Sequence, residues 1–247
     1  MQVFEANLTR IYIICLEGAR QLNIKAILFD LHGTLAYVRD PVTEQEASNF
    51  LISRGYEVYP QTYMAAWRFI AFIDYPKHGY KDYPSFLKRL LWRIKIRVDK
   101  ETLDGLAKLY ERSQFELYPH ALKAVKKAKE YGLKTAIVTT IARFKFQKAL
   151  QPILPHLDTV VTGYEARCEK SNPKMFKRTL EILNVRPSEA VMIGDDIPID
   201  ILIQKKLGIH TILLDMEHKM GSSEFSDAVT ENLVEAIKMI ERLWIRR

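Results

Sequence analysis

The stretch Lys25–Leu35, KAILFDLHGTL, constrains this chain more than any other. Ala26 to Phe29 is a short apolar run without polar alternation, the pattern of a parallel strand buried on both faces. It stops at Asp30, and Gly33 follows where a sharp turn calls for a glycine. A carboxylate at the C-terminal edge of a buried strand stands where open α/β sheets gather ligands. Taken alone, Asp30 also reads as an aspartate opening a turn. A second strand ending breaks that tie, because Ala190 to Asp196, AVMIGDD, repeats the apolar run and closes it with more acid.

From His120 onward helix and strand alternate, which predicts a parallel sheet. Strands are expected at Lys134–Thr139, Thr159–Gly163, Ala190–Gly194 and His210–Leu214. Helices are expected at Ala121–Tyr131, Arg143–Leu150, Pro173–Leu183, Ile199–Lys206 and Val229–Leu243. With Ala26–Phe29 this makes an α/β fold, a doubly wound Rossmann-like parallel sheet of about five strands with right-handed crossovers. Asn7 to Leu22 reads as an extra helix on that core.

Between Val42 and Leu117 the period is helical throughout and no strand is expected. Thr43 with Glu46 three residues on forms a capping box, and Pro60, Pro76, Gly79 and Pro84 punctuate the helices after it. The expected organisation is an all-helical cap over 37–117, inserted into a core made of 1–36 and 118–247. The aromatic residues crowd into this insertion. Helical spacing makes most of them core, with a minority around the Asp74–Tyr83 loop facing a ligand.

The 247 residues carry a net charge of +7, which favours anionic partners: nucleic acid, membrane surfaces or phosphorylated small molecules. Lys123, Lys126, Lys127 and Lys129 share one helix with apolar Leu122, Val125 and Ala128, as a solvated face would. No zinc-finger spacing or aromatic-plus-basic motif is present, so no nucleic-acid partner is expected. Cys15 and Cys168 form neither a disulfide framework nor a metal cluster, which suits a reducing compartment. The apolar stretch Ile11–Leu16 is too short to span a bilayer and has no basic leader, so a cytoplasmic, non-membrane protein is expected.

A parallel sheet brings its C-terminal strand ends to one edge, and here each end carries a reactive group. These are Asp30, then Thr139 with Thr140, then Lys170 in the loop after the third strand, then Asp195 and Asp196 with Asp200 a turn later. Carboxylates gathered this closely repel, and a hard divalent cation with oxygen ligands, Mg²⁺, resolves the conflict. Such an edge suits a phosphoryl group held between metal and the Lys170 ammonium, with Asp30 as nucleophile. Thr139 and the backbone N–H groups around Leu31 and His32 can bond its non-bridging oxygens. Asp196 and Asp200 also read as helix caps.

These residues resemble a known family. Asp30-Leu31-His32-Gly33-Thr34-Leu35, Thr139, Lys170 and Gly194-Asp195-Asp196-Ile197-Pro198-Ile199-Asp200 look like the four motifs of the haloacid dehalogenase (HAD) superfamily, in its order and spacing. The insertion falls between motifs one and two, where the family carries a helical cap. The resemblance implies Asp30 as the attacking carboxylate, Thr139 as a phosphate contact, and Lys170 steadying both nucleophile and phosphoryl group. It further implies Mg²⁺ on Asp30, Asp195 and the backbone carbonyl of His32. One departure stands out: the family's phosphatases place an aspartate at position 32, where it protonates the leaving oxygen and then activates water. His32 either takes over that proton transfer or has only a structural part.

Three functions follow as expectations. The first is a Mg²⁺-dependent phosphatase of a small phosphorylated metabolite acting through an aspartyl-phosphate on Asp30, which chelator or Asp30→Asn would silence. The second is a 2-haloacid dehalogenase forming an Asp30 ester, which would release halide without metal. The third is a phosphate-binding module with a weakened site, which would bind ligand yet turn nothing over.

Overall fold

The computed structural model describes residues 12–13, 23–216 and 224–244. The first part of the chain holds β1 (Tyr12–Ile13), β2 (Ala26–Phe29), β3 (Ala36–Arg39) and α1 (Glu44–Ser53). Next come α2 (Pro60–Arg68), α3 (Tyr75–His78), α4 (Tyr83–Arg93), α5 (Lys100–Glu111) and β4 (Gln114–Leu117). The middle holds α6 (Ala121–Glu130), β5 (Lys134–Thr139), α7 (Arg143–Phe146), β6 (Thr159–Thr162), α8 (Gly163–Ala166) and α9 (Pro173–Leu183). The last part holds β7 (Ala190–Gly194), α10 (Ile203–Leu207), β8 (His210–Leu214), β9 (Ala228–Thr230) and α11 (Leu233–Trp244).

The main sheet runs β1-β9-β8-β7-β2-β5-β6, parallel throughout except for β1 at its edge. β2 lies at the centre, with Ala26 opposite Lys134 of β5 on one side and Ala190 of β7 on the other. Its apolar run is explained by burial on both faces. Ile27 and Phe29 enter one hydrophobic cluster with Ile137, Val191 and Ile193, while Ala26 and Leu28 enter another with Val138 and Met192. The chain builds outward to β6 and then crosses to β7 on the other side of β2, so the switch point lies beside β2.

Among the described residues the parallel strands number six rather than five, because the start of the expected Val229–Leu243 helix is instead β9. Asn232 separates the two, its side chain accepting from the Val234 and Glu235 N–H groups at 2.8 and 3.2 Å, so the helix starts after it. The expected helix at Asn7–Leu22 lies mostly outside the described residues. Its two described members, Tyr12 and Ile13, are strand, pairing antiparallel with β9.

Between β3 and β4 the helices α1 to α5 form a separate hydrophobic cluster around Tyr63, Phe86, Leu90 and Leu106. The Thr43 capping box opens α1 as expected, with Glu46 accepting from the Thr43 N–H at 2.9 Å. α5 ends at Glu111, however, and 114–117 is strand, paired antiparallel with β3 so that Ala36 faces Leu117 and Arg39 faces Gln114. Cross-strand contacts of Glu116 with Tyr37 at 2.8 Å and Arg39 at 2.6 Å hold this stem together. The expected helix at 143–150 keeps helical form only to Phe146. Among the described residues no helix is long and apolar enough to cross a membrane.

Candidate active site

Asp30 is fixed by pairing on the strand it ends, because its N–H donates to the Ile193 carbonyl of β7 at 2.9 Å. The chain then folds back at once: the Leu31 carbonyl accepts from the Leu35 and Ala36 N–H groups at 3.0 and 2.8 Å. Gly33 has φ +88°, and a Cβ there would overlap the Asp195 carboxylate. A Cβ on Gly194 would overlap the Asp200 carboxylate in the same way. Two glycines thus make room for two acids.

Asp30, Asp195 and Asp200 each offer a carboxylate oxygen, and the three atoms lie within 4.8 Å of one another. The Lys170 ammonium bonds the Asp30 carboxylate and pairs with Asp200 Oδ1 at 2.6 Å. Burial by itself would lower the Lys170 ammonium, but Asp200 and Asp30 outweigh it, so its pKa rises and the charge is held. Burial raises the Asp30 carboxyl against the pull of Lys170, and it raises Asp200 likewise. Asp195, the most open of the three, is raised by desolvation and by Asp200 beside it. An all-oxygen trio whose members resist ionising together fits a hard cation, with Lys170 balancing part of the charge.

The remaining expected residues divide. Thr139 ends β5 and Thr140 follows it, both buried and both lining the cavity with this trio. The Thr139 hydroxyl accepts from the Ile141 N–H at 3.2 Å, and the Thr140 hydroxyl accepts from the Lys170 N–H at 3.1 Å, so Thr140 also positions the lysine. The Leu31 side chain is fully buried in the core, and its backbone offsets part of the rise that burial imposes on the Asp30 carboxyl. His32 is exposed, set edge-on to Phe115 at 6.1 Å, and shares a cavity wall with Asp30. Asp196, expected among the metal ligands, stands outside the trio and caps the next segment instead, accepting from the Ile199 N–H at 2.9 Å. Asp200 accepts from the Asp196 N–H at 3.3 Å and pairs with Lys170 as well.

A cavity of about 610 Å³ opens over these groups. Its floor holds Asp30, Lys170 and Asp195, and its far wall is aromatic, from Tyr63, Trp67 and Phe72 among others. The cavity-facing aromatics come from the helices and, with Phe115, from β4 rather than from the Asp74–Tyr83 loop, of which only Tyr83 takes part. In that loop Tyr80 bonds Asp74, which Arg89 also holds at 3.1 Å. Sequence reading gave no role to Thr34, whose buried hydroxyl donates to Asp195 Oδ1 at 3.2 Å, or to Lys145 on the cavity wall. Thr34 was within reach as part of the DLHGTL turn. Lys145 carried no signal, since it sat within the expected helix at Arg143–Leu150 and outside every strand end.

The family model for haloacid dehalogenase-like hydrolases matches residues 24–208. The glyceraldehyde 3-phosphate phosphatase of Pyrococcus furiosus is 27% identical over 235 residues, covering 89% of this chain and 94% of its own. The crystal structure of a HAD phosphatase from Thermococcus onnurineus superposes with a TM-score of 0.63 at 22% identity, covering 88% of this chain and 98% of that one. A 2-haloacid dehalogenase from Pseudomonas syringae also gives 0.63, at 18% identity and covering 89% and 99%, which shows a shared fold and nothing narrower. With the central acid, the buried lysine and the acidic fourth strand end in this arrangement, the chain belongs to the haloacid dehalogenase-like hydrolases.

Proposed function

We propose that the chain is a Mg²⁺-dependent phosphatase of small phosphorylated metabolites that works through an aspartyl-phosphate on Asp30. The observation that carries this reading is the acidic trio within 4.8 Å, two of whose members, Asp30 and Asp200, are gripped by one buried lysine. Its relative in Pyrococcus furiosus, named a glyceraldehyde 3-phosphate phosphatase, supports the substrate class. Asp30, Asp195 and the His32 carbonyl would hold the cation, with Asp200 behind them, and a bound Mg²⁺ would screen the phosphoryl charge.

Asp30 attacks phosphorus, and the bond from phosphorus to the substrate oxygen breaks as the new acyl-phosphate bond forms. Lys170 keeps the attacking carboxylate ionised and in place. Thr139, Thr140 and the Leu31 N–H hold the non-bridging oxygens. His32 gives its proton to the departing oxygen, then takes one from a water that attacks phosphorus and frees Asp30 and phosphate. The helical unit over 37–117 acts as a cap that closes the cavity and selects the leaving group. A reducing cytoplasm suits the free Cys168 thiol.

The acidic trio favours this reading over halide release, where an Asp30 ester needs no cation. The test is a panel of phosphate monoesters with Mg²⁺, run again in excess chelator and with Asp30→Asn. Turnover should fall by at least about 10³-fold in both cases. Equal turnover under either condition defeats the proposal, and metal-free halide release from a 2-haloacid puts dehalogenation in its place.

A further inference from the structure

Lys145, at the end of α7, is the observation left over once the site is assembled. Its ammonium sits among cap and core aromatics, 4.3 Å from the centroid of Phe86, 4.4 Å from Trp67, 5.8 Å from Tyr83 and 6.0 Å from Phe144. Ring faces attract a cation, but they accept no conventional hydrogen bond. Among the described residues Lys145 has neither a hydrogen-bond acceptor nor an acid to pair with. It nonetheless lines the same cavity as Asp30 and Lys170. A half-buried charge with three donors and no acceptor is costly unless something else supplies one.

Resting on the phosphatase reading, we propose that Lys145 is the specificity-determining residue of that cavity, binding a second anionic group at the end of the substrate away from the scissile phosphate. The class is a phosphomonoester that also carries a carboxylate or a second phosphate. The lysines divide the work: Lys170 is fully engaged with Asp30 and Asp200, whereas Lys145 has nothing charged to hold until ligand arrives. At the rim the same wall carries exposed Arg68 and exposed Glu44, so the anion's deep position is marked by Lys145 rather than by them. Burial brings the Lys145 ammonium down to about 7, and a bound anion would restore its charge. The aromatic rings around it keep water from competing for that pair.

The test measures binding by calorimetry in Mg²⁺ buffer on the full chain carrying Asp30→Asn, with and without Lys145→Met. The probes are 3-phosphoglycerate for a carboxylate, propane-1,3-diol bisphosphate for a phosphate, and glycerol 3-phosphate for a neutral end. One or both anionic probes should bind at least about tenfold tighter than glycerol 3-phosphate, and Lys145→Met should erase that gap while leaving glycerol 3-phosphate within about twofold. Whichever anionic probe gains identifies the group. The melting temperature of Lys145→Met should stay level or rise, because an unpaired half-buried charge is replaced by an apolar stem of similar shape. No preference for either anionic probe, a preference that survives Lys145→Met, or an equal loss on all three probes overturns the proposal. Turnover of p-nitrophenyl phosphate by the unaltered chain is scored separately. Its absence would remove the phosphatase reading and leave the Lys145 subsite standing or falling on binding alone.

Discussion

Gly33 shows how tightly single residues are set here. Its positive φ would strain any side chain, and the space a Cβ would take belongs to Asp195. Gly33→Ala should therefore push Asp195 away from Asp30 and lower kcat by at least about 10²-fold, with the Mg²⁺ requirement shifted to higher concentration in a metal titration. A variant with ordinary Mg²⁺ dependence would show that the overlap is relieved elsewhere. At the neighbouring position, His32→Asp should keep or raise phosphatase activity and move the pH–rate profile acidward. A loss beyond about 10²-fold would instead give the imidazole a role that a carboxylate cannot fill. Asp30, Lys170 and Asp195 were readable because each ends or follows an apolar strand, and strand ends converge by topology alone. Thr34 reaches an acid 161 positions away, and periodicity carries no information about such a contact.

At the scale of elements, strands buried on both faces announced themselves, as β2, β5, β7 and β8 did, while short or half-exposed ones did not. β3 shows this: its burial falls from buried Ala36 to exposed Arg39, a pattern too weak to separate it from the loop before α1. β9 went unread because three residues beside a helix cap look like that helix's first turn. Besides its pairing with β8 and β1, its start is tied down by Asp227, which accepts from the Thr211 N–H at 2.8 Å and pairs with Lys205 at 2.9 Å. Burial pushes the Asp227 carboxyl up, but nearby His210 and hydrogen bonds from Lys205 and the Thr211 N–H pull it further down, to about 2. A carboxyl depressed on folding contributes stability that is whole above its unfolded value and is lost as pH falls through the folded one. Asp227→Asn should therefore cost about 2 kcal/mol at neutral pH in denaturant unfolding. That penalty should shrink between about pH 4 and pH 2, and one that stays constant across the range would exclude the ionised carboxylate as its source.

For the molecule as a whole, the alternation of helix and strand after His120 and the aromatic helical run before it were legible, and both are in the structure. Less legible was how the two meet. The helical unit is joined to the sheet by the β3–β4 stem and by the Tyr75 hydroxyl against Thr162 Oγ1 at 3.1 Å, with Tyr83 edge-on to Phe144 at 5.1 Å beside the cavity. These are long-range contacts between residues that each look like local core in sequence. The chemistry proposed depends on that meeting, because the aromatic wall closes over the acids only when helices and sheet edge come together. The most direct measurement is an acid quench of the full chain during turnover of a phosphate monoester with Mg²⁺, followed by mass spectrometry of its peptides. A phosphoryl group on the peptide containing Asp30, absent from Asp30→Asn, is the predicted result. Hydrolysis at full rate by Asp30→Asn, or turnover that never phosphorylates that peptide, would contradict it.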